Sequence, residues 1–125
     1  VRVRVRVRDR DRVIQVTSYF ISDLHLRHGR VSELRGFSTV EEHDASVLSG
    51  LRELTSGDTL WVLGDLIANA NHLSSALDDL AGLECSDLRF VSGNHDPVWP
   101  GHRESHKWTF KYLEVFRLVT PFARV

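Results

Sequence analysis

Phe90-Val91-Ser92-Gly93-Asn94-His95-Asp96 is an apolar run that stops at a glycine and then delivers an amide, an imidazole and a carboxylate in succession. Two earlier stretches share that build: Tyr19-Phe20-Ile21-Ser22-Asp23-Leu24-His25 closes in Asp-x-His, and Leu60-Trp61-Val62-Leu63-Gly64-Asp65 closes in Gly-Asp. A short apolar or β-branched run ended by turn formers reads as a buried strand. The polar group just past it stands at the strand's C-terminal edge, where open α/β sheets bind ligands. Three such edges side by side gather Asp23, His25, Asp65, Asn94 and His95 into one crevice. Carboxylate, amide and imidazole donors together suit Mn²⁺, Fe²⁺ or Zn²⁺, and the imidazoles favour these over Mg²⁺ or Ca²⁺.

The intervals between these strands have helical periodicity. The first strand is expected over residues 13–22, and Asp23 and His25, two apart on extended backbone, point the same way. Residues 26–37 read as a loop whose arginines, Arg27, Arg30 and Arg35, are better suited than His28 to hold an anion. Ser38 or Thr39 then caps a helix with Glu41 and Glu42 in its first turn and an apolar face of Val40, Val47, Leu48, Leu51 and Leu54. His43 and Asp44 are read as its polar side. A second helix over residues 71–83 turns Leu73, Ala76, Leu77, Leu80 and Ala81 inward, with Asp78 and Asp79 solvated. Cys85 is expected to be a small buried side chain. Beyond Asp96 a proline- and glycine-bearing loop leads to His102 and His106, four apart and so on one helix face, where they are candidate extra metal ligands. Residues 108–119 read as an amphipathic helix, and residues 121–125 as the start of another strand. Strands alternating with helices place the chain in the α/β class.

Asp-x-His, then Gly-Asp, then Gly-Asn-His-Asp, in that order, resemble the motifs of the metallophosphoesterase (calcineurin-like phosphoesterase) family, in particular its phage and bacterial members. The resemblance covers residues 19–96 through specific motifs and the rest more loosely. It implies the N-terminal half of an αββα sandwich, a β-α-β-α-β unit with a strand-tip site for two divalent metal ions. Asp23, His25 and Asp65 would hold the first ion, and Asp65 with Asn94 the second. His95, as a catalytic residue beside Asp65, would stabilise phosphate oxygens or protonate the leaving group, and His28 and Arg30 are possible substrate contacts. The implied chemistry is hydrolysis of a phosphomonoester or phosphodiester, small-molecule or nucleotide, by water activated between the metals. Two departures matter. Many relatives continue Gly-Asp-x-x-Asp, and here that second acid is Ala68, which leaves His95 without its carboxylate unless Asn69, Asp96 or a water replaces it. The late Gly-His-x-His ligands also have no counterpart, so weak metal affinity and poor turnover are expected unless His102, His106, a partner chain or a further segment completes the shell. The alternative is a non-catalytic metal- or phosphate-binding remnant.

The whole-chain figures are ordinary for a globular protein and argue against a generally basic nucleic-acid binder. The 125 residues make about one domain and carry a formal net charge of −1. One cysteine excludes an internal disulfide, and no apolar stretch reaches membrane-spanning length, so a cytoplasmic protein with no membrane partner is expected. Residues 1–12 are a low-complexity extension, with Val and Arg alternating up to Arg8, ahead of a single domain over residues 13–125. The extension is expected to be disordered or an edge strand; as a cationic arm it would give nucleic-acid binding that weakens steeply with salt. Val1 in place of methionine fits an alternative start or an excerpt. The oligomeric state is not legible.

Overall fold

The computed structural model describes residues 2–9 and 12–123, with side-chain surroundings from Thr17 onward. Five strands form one sheet in sequential order: β1 (Arg2–Asp9), β2 (Arg12–Ser22), β3 (Asp58–Leu63), β4 (Asp87–Val91) and β5 (Leu118–Thr120). β1 pairs antiparallel with β2 from Arg2↔Tyr19 to Asp9↔Arg12, so this part of the Val/Arg stretch is an edge strand. Whether its arginines form a cationic surface lies outside the described residues, as do Val1, Arg10, Asp11, Arg124 and Val125. β2 to β5 are parallel throughout, with Phe20, Trp61, Arg89 and Leu118 in register across them. The architecture is α/β: a four-stranded parallel sheet flanked by helices.

Strand alternation decides which face is covered. Leu60 and Val62 of β3 and Leu88 and Phe90 of β4 enter one core cluster with side chains of the helices α2 (Val40–Leu51), α3 (Leu73–Ala81) and α4 (Ser105–Leu113). On the opposite face Phe20 stacks on Trp61, with ring centroids 6.3 Å apart, and the Arg89 guanidinium lies 5.3 Å from the Trp61 ring. α2 starts where expected, since the Thr39 hydroxyl accepts from the Glu42 amide and the Glu42 carboxylate accepts from the Ser38 amide. In α3, Leu73, Ala76, Leu77 and Leu80 are buried at helical spacing, while Ala81 is exposed.

Several expectations fail for identifiable reasons. Residues 26–37 are not a plain loop: α1 (Gly29–Leu34) forms because His28 Nδ1 accepts from the Val31 amide and the Ser32 hydroxyl donates to the His28 carbonyl. The helix expected over residues 108–119 ends at Leu113, and β5 replaces its last part. Parallel pairing is available there, with the Arg117 amide donating to Leu88 and the Ser92 amide to Thr120, and β-branched Val119 and Thr120 suit it. Pro121 follows β5, and residues 121–123 of the strand expected over 121–125 are not in a strand, the last two lying outside the described residues. His43 and Asp44 are buried, not a solvated face, and Asp79 is half-buried in an ion pair with Arg27. No described helix is long and apolar enough to cross a membrane. Cys85 is 1% exposed, and burial pushes its thiol pKa up, away from nucleophilic use.

Phe90, Tyr112 and Phe116 close the core beneath the β4 tip, with Tyr112 centroid-to-centroid 4.9 Å from Phe90. The Tyr112 hydroxyl is buried without a hydrogen-bond partner, and burial next to the Asp96 charge holds it protonated. A buried hydroxyl left unpaired costs about 1–3 kcal/mol, so Tyr112→Phe is expected to stabilise the fold by about 1 kcal/mol. Thermal unfolding would register this as a rise of about 3–5 °C in Tm; a fall would mean that the hydroxyl has a partner in solution.

Candidate metal centre

The backbone turns sharply at the tips of β2 and β3. Asp23, His25 and Arg27 have φ of 55°, 45° and 62°, and Asp65, after Gly64 at 75°, has 50°; these four are the non-glycine residues with positive φ among those described. The expected extended geometry at Asp23 and His25 is therefore absent. Left-handed backbone costs a non-glycine residue roughly 1–2 kcal/mol, so its confinement to the strand tips marks a constrained site. Leu24 and Leu26, nearly inaccessible, anchor the alternate positions in the core. The His25 amide donates to the Asp65 carbonyl (3.0 Å) and the Leu26 amide to the Leu66 carbonyl (2.9 Å), so the two tips run side by side.

Asp96 ties in the third tip. Its carboxylate, fully buried, accepts from the amides of Gly93 (2.6 Å), Asp65 (3.0 Å) and Leu66 (3.3 Å). Burial outweighs these donors and raises its pKa above the ordinary carboxylate range. Gly93 packs closely against this carboxylate: a Cβ there would meet Asp96 Oδ2 at 3.4 Å and Asp65 Oδ1 at 3.6 Å, ordinary van der Waals contact.

This scaffold brings Asp23, His25 and Asp65 together, each offering one ligand atom, all within 4.8 Å of one another. His25 Nε2 lies 4.0 Å from Asp23 Oδ1, and its Nδ1 is buried without a hydrogen-bond partner. Burial lowers the His25 pKa, with Asp65 and Asp23 opposing and Arg35 and His28 reinforcing, so the ring is the neutral ligand form at pH 7. His25, His28, Asp65, Ala68 and His95 line one open pocket of about 310 Å³. His28 meets the His25 ring edge-on at 5.5 Å and, with Nδ1 taken by the Val31 amide, has Nε2 remaining. A larger cavity of about 470 Å³ between β2 and α2, lined by Tyr19, Ile21, Val47, Leu51 and Glu53 among others, offers one acid and no converging donors.

The remaining candidates divide. Asn94 and His95 are exposed at the β4 tip, and His102 Nε2 lies 2.6 Å from the Asn94 carbonyl, where it holds that loop. Arg30 and His106 are exposed and do not line the pocket. Neither proposed substitute for the missing acid hydrogen-bonds His95: the Asp96 carboxylate accepts from three amides, and the Asn69 side chain accepts from the Asn71 amide. Arg27 and Arg35 are engaged by groups of the protein itself. Arg27 pairs with Asp44 and Asp79, and Arg35 reaches His43 and the Asp23 carbonyl.

No protein-family model matches the chain. It is similar to the Gene 66 protein of Mycobacterium phage L5, 34% identical over 114 residues, which cover 86% of this chain and 53% of that protein. The Gene 66 protein of Mycobacterium phage D29 is 29% identical over 110 residues, 86% of this chain and 54% of that one. A crystal structure of a protein of unknown function from Aquifex aeolicus superposes with a TM-score of 0.63 at 26% identity, covering 86% of this chain and 52% of that chain. The chain thus spans about half the length of the curated relatives it matches.

Proposed function

We propose that the strand tips form a divalent-metal centre and that the chain carries the metal-binding part of a phosphate-ester hydrolase. The observation that carries this reading is the convergence of Asp23, His25 and Asp65 from two neighbouring strands within 4.8 Å. The donor set fits a transition metal: two carboxylates supply charge, and a neutral imidazole has a buried nitrogen with no partner. Asp23, His25 and Asp65 would hold one ion, and Asp65 with Asn94 a second, as the motif resemblance to metallophosphoesterases implies. Such ions neutralise phosphate charge and make an attacking water more acidic. His95, on the wall of the same pocket, would donate to a phosphate oxygen or protonate a leaving alkoxide, and its place on that wall supports this role. His28 offers its Nε2 to that space as a second polar contact.

Binding of metal or phosphate without turnover is the second reading. What favours it is the donor count, since three acid or imidazole side chains converge among the described residues. The test is hydrolysis of bis(4-nitrophenyl) phosphate and 4-nitrophenyl phosphate with added Mn²⁺. Hydrolysis is expected to vanish on chelation and to fall about 10²–10³-fold in Asp65→Asn and His95→Ala. Equal rates in all three proteins would exclude the site; Mn²⁺ binding without hydrolysis of either ester would leave the second reading.

A further inference from the structure

The strained loop that carries Asp23 and His25 is gripped at both ends by one polar chain running through α2. At its start the Asp23 carbonyl accepts from Arg35 Nη2 (2.8 Å). Arg35 Nη1 reaches His43 Nε2 (2.8 Å), and His43 Nδ1 lies 2.9 Å from Asp44 Oδ1. At the loop's far end the Arg27 amide and its Nη1 both donate to Asp44 Oδ2 (3.1 and 3.0 Å), and Arg27 Nη2 continues to Asp79 on α3. A guanidinium only donates, so His43 Nε2 accepts, and the ring hydrogen sits on Nδ1 and donates to Asp44. Every contact in the chain is thereby satisfied. Two arginines face two aspartates, and the pair at the centre, His43 and Asp44, is 0% and 6% exposed.

The apolar contacts of α2 with the core come from Leu48 and Leu51, while His43 and Asp44 bury their polar groups in this chain of contacts. The chain ends on two backbone groups, the Asp23 carbonyl and the Arg27 amide, that bracket His25. We propose that His43 and Asp44, acting through Arg35 and Arg27, are positioning residues that preset Asp23 and His25 for a divalent cation. This rests on the metal reading above. Such outer partners commonly govern metal affinity about 10–100-fold.

Arg35→Ala is the variant of choice, because Arg35 lies at the surface and its loss leaves no cavity. It also separates the clamp from simple electrostatics. The Arg35 charge acts on His25 and opposes a nearby cation, so charge removal alone predicts tighter Mn²⁺ binding. The clamp predicts the opposite sign: Mn²⁺ Kd by calorimetry raised about 10-fold or more, with partial recovery in free guanidinium. In metal-free protein, hydrogen exchange at the His25 amide should accelerate about 10-fold while Tm holds, a local opening. Unchanged or tighter Mn²⁺ binding, or unchanged His25 exchange, overturns the proposal. Failure of the metal reading shows up separately, as wild-type protein that binds no Mn²⁺; faster His25 exchange would then leave a loop tie and remove its assignment to a cation.

Discussion

Asp96→Ala is expected to lower the unfolding free energy by about 3–5 kcal/mol, enough to leave a domain of this size partly unfolded at 37 °C. The Asp96 carboxylate is the common acceptor of three amides that belong to two different strand tips, and it is fully buried. Alanine leaves all three donors without a partner, each costing about 1–3 kcal/mol, less what water entering the gap recovers. Asp96→Asn keeps one acceptor oxygen but turns an amide donor toward donors, and should lose about half as much. Urea unfolding followed by circular dichroism checks both; a loss below about 1 kcal/mol for alanine would mean that the tips are held elsewhere. The pH dependence carries a sign. The native carboxyl holds its proton more tightly than the unfolded one. Its contribution is therefore fully present below about pH 4 and declines as the pH rises through the native value, a slope that Asp96→Asn should lack.

The three core strands β2, β3 and β4 and the three-residue cluster are legible because each of these tips is written locally: an apolar run, a glycine or serine, then a ligand type. Asp96 was legible as a residue and not as a role. Sequence offers it as a substitute partner for His95, whereas three amide donors from two chain segments claim it, and only the folded register brings them there. His43 and Asp44 are a different failure. They fall at +3 and +4 from Val40 and at −4 and −3 from Val47, on the stripe that packs inward, so their helical phase points to the core while their polarity points to solvent. A buried ionisable pair at core phase is itself a signal, since such groups stay inside only when paired. Arg27 and Arg35 depend on the same buried pair. With His43 and Asp44 assigned to solvent, the loop arginines had nothing to bind except an anion. β5 is not legible locally because Val115 and Phe116 continue the apolar spacing of the helix before it, and only the unpaired edge of β4 calls for a strand.

Asp65→Asn should weaken Mn²⁺ binding about 100-fold, close to 2.7 kcal/mol, without harming the fold. Asparagine tolerates the left-handed backbone at this position, where φ is 50°, and has the aspartate's shape, so the change reads on charge alone. It takes one of two carboxylates from the Asp23, His25 and Asp65 set. The same carboxylate is a liability when no cation is present. Asp65 stands close enough to Asp96 to disfavour its ionisation, and it shares its neighbourhood with Asp23. Removing it should therefore leave the metal-free Tm equal or slightly raised, the pattern of a residue kept for function at the expense of stability. In saturating Mn²⁺ the order reverses: wild-type protein gains about 2.7 kcal/mol at 100-fold excess over Kd, and the variant gains little. Thermal melts of both proteins with and without Mn²⁺ decide the matter. An equal Mn²⁺-induced shift in the two would place the cation somewhere other than these strand tips.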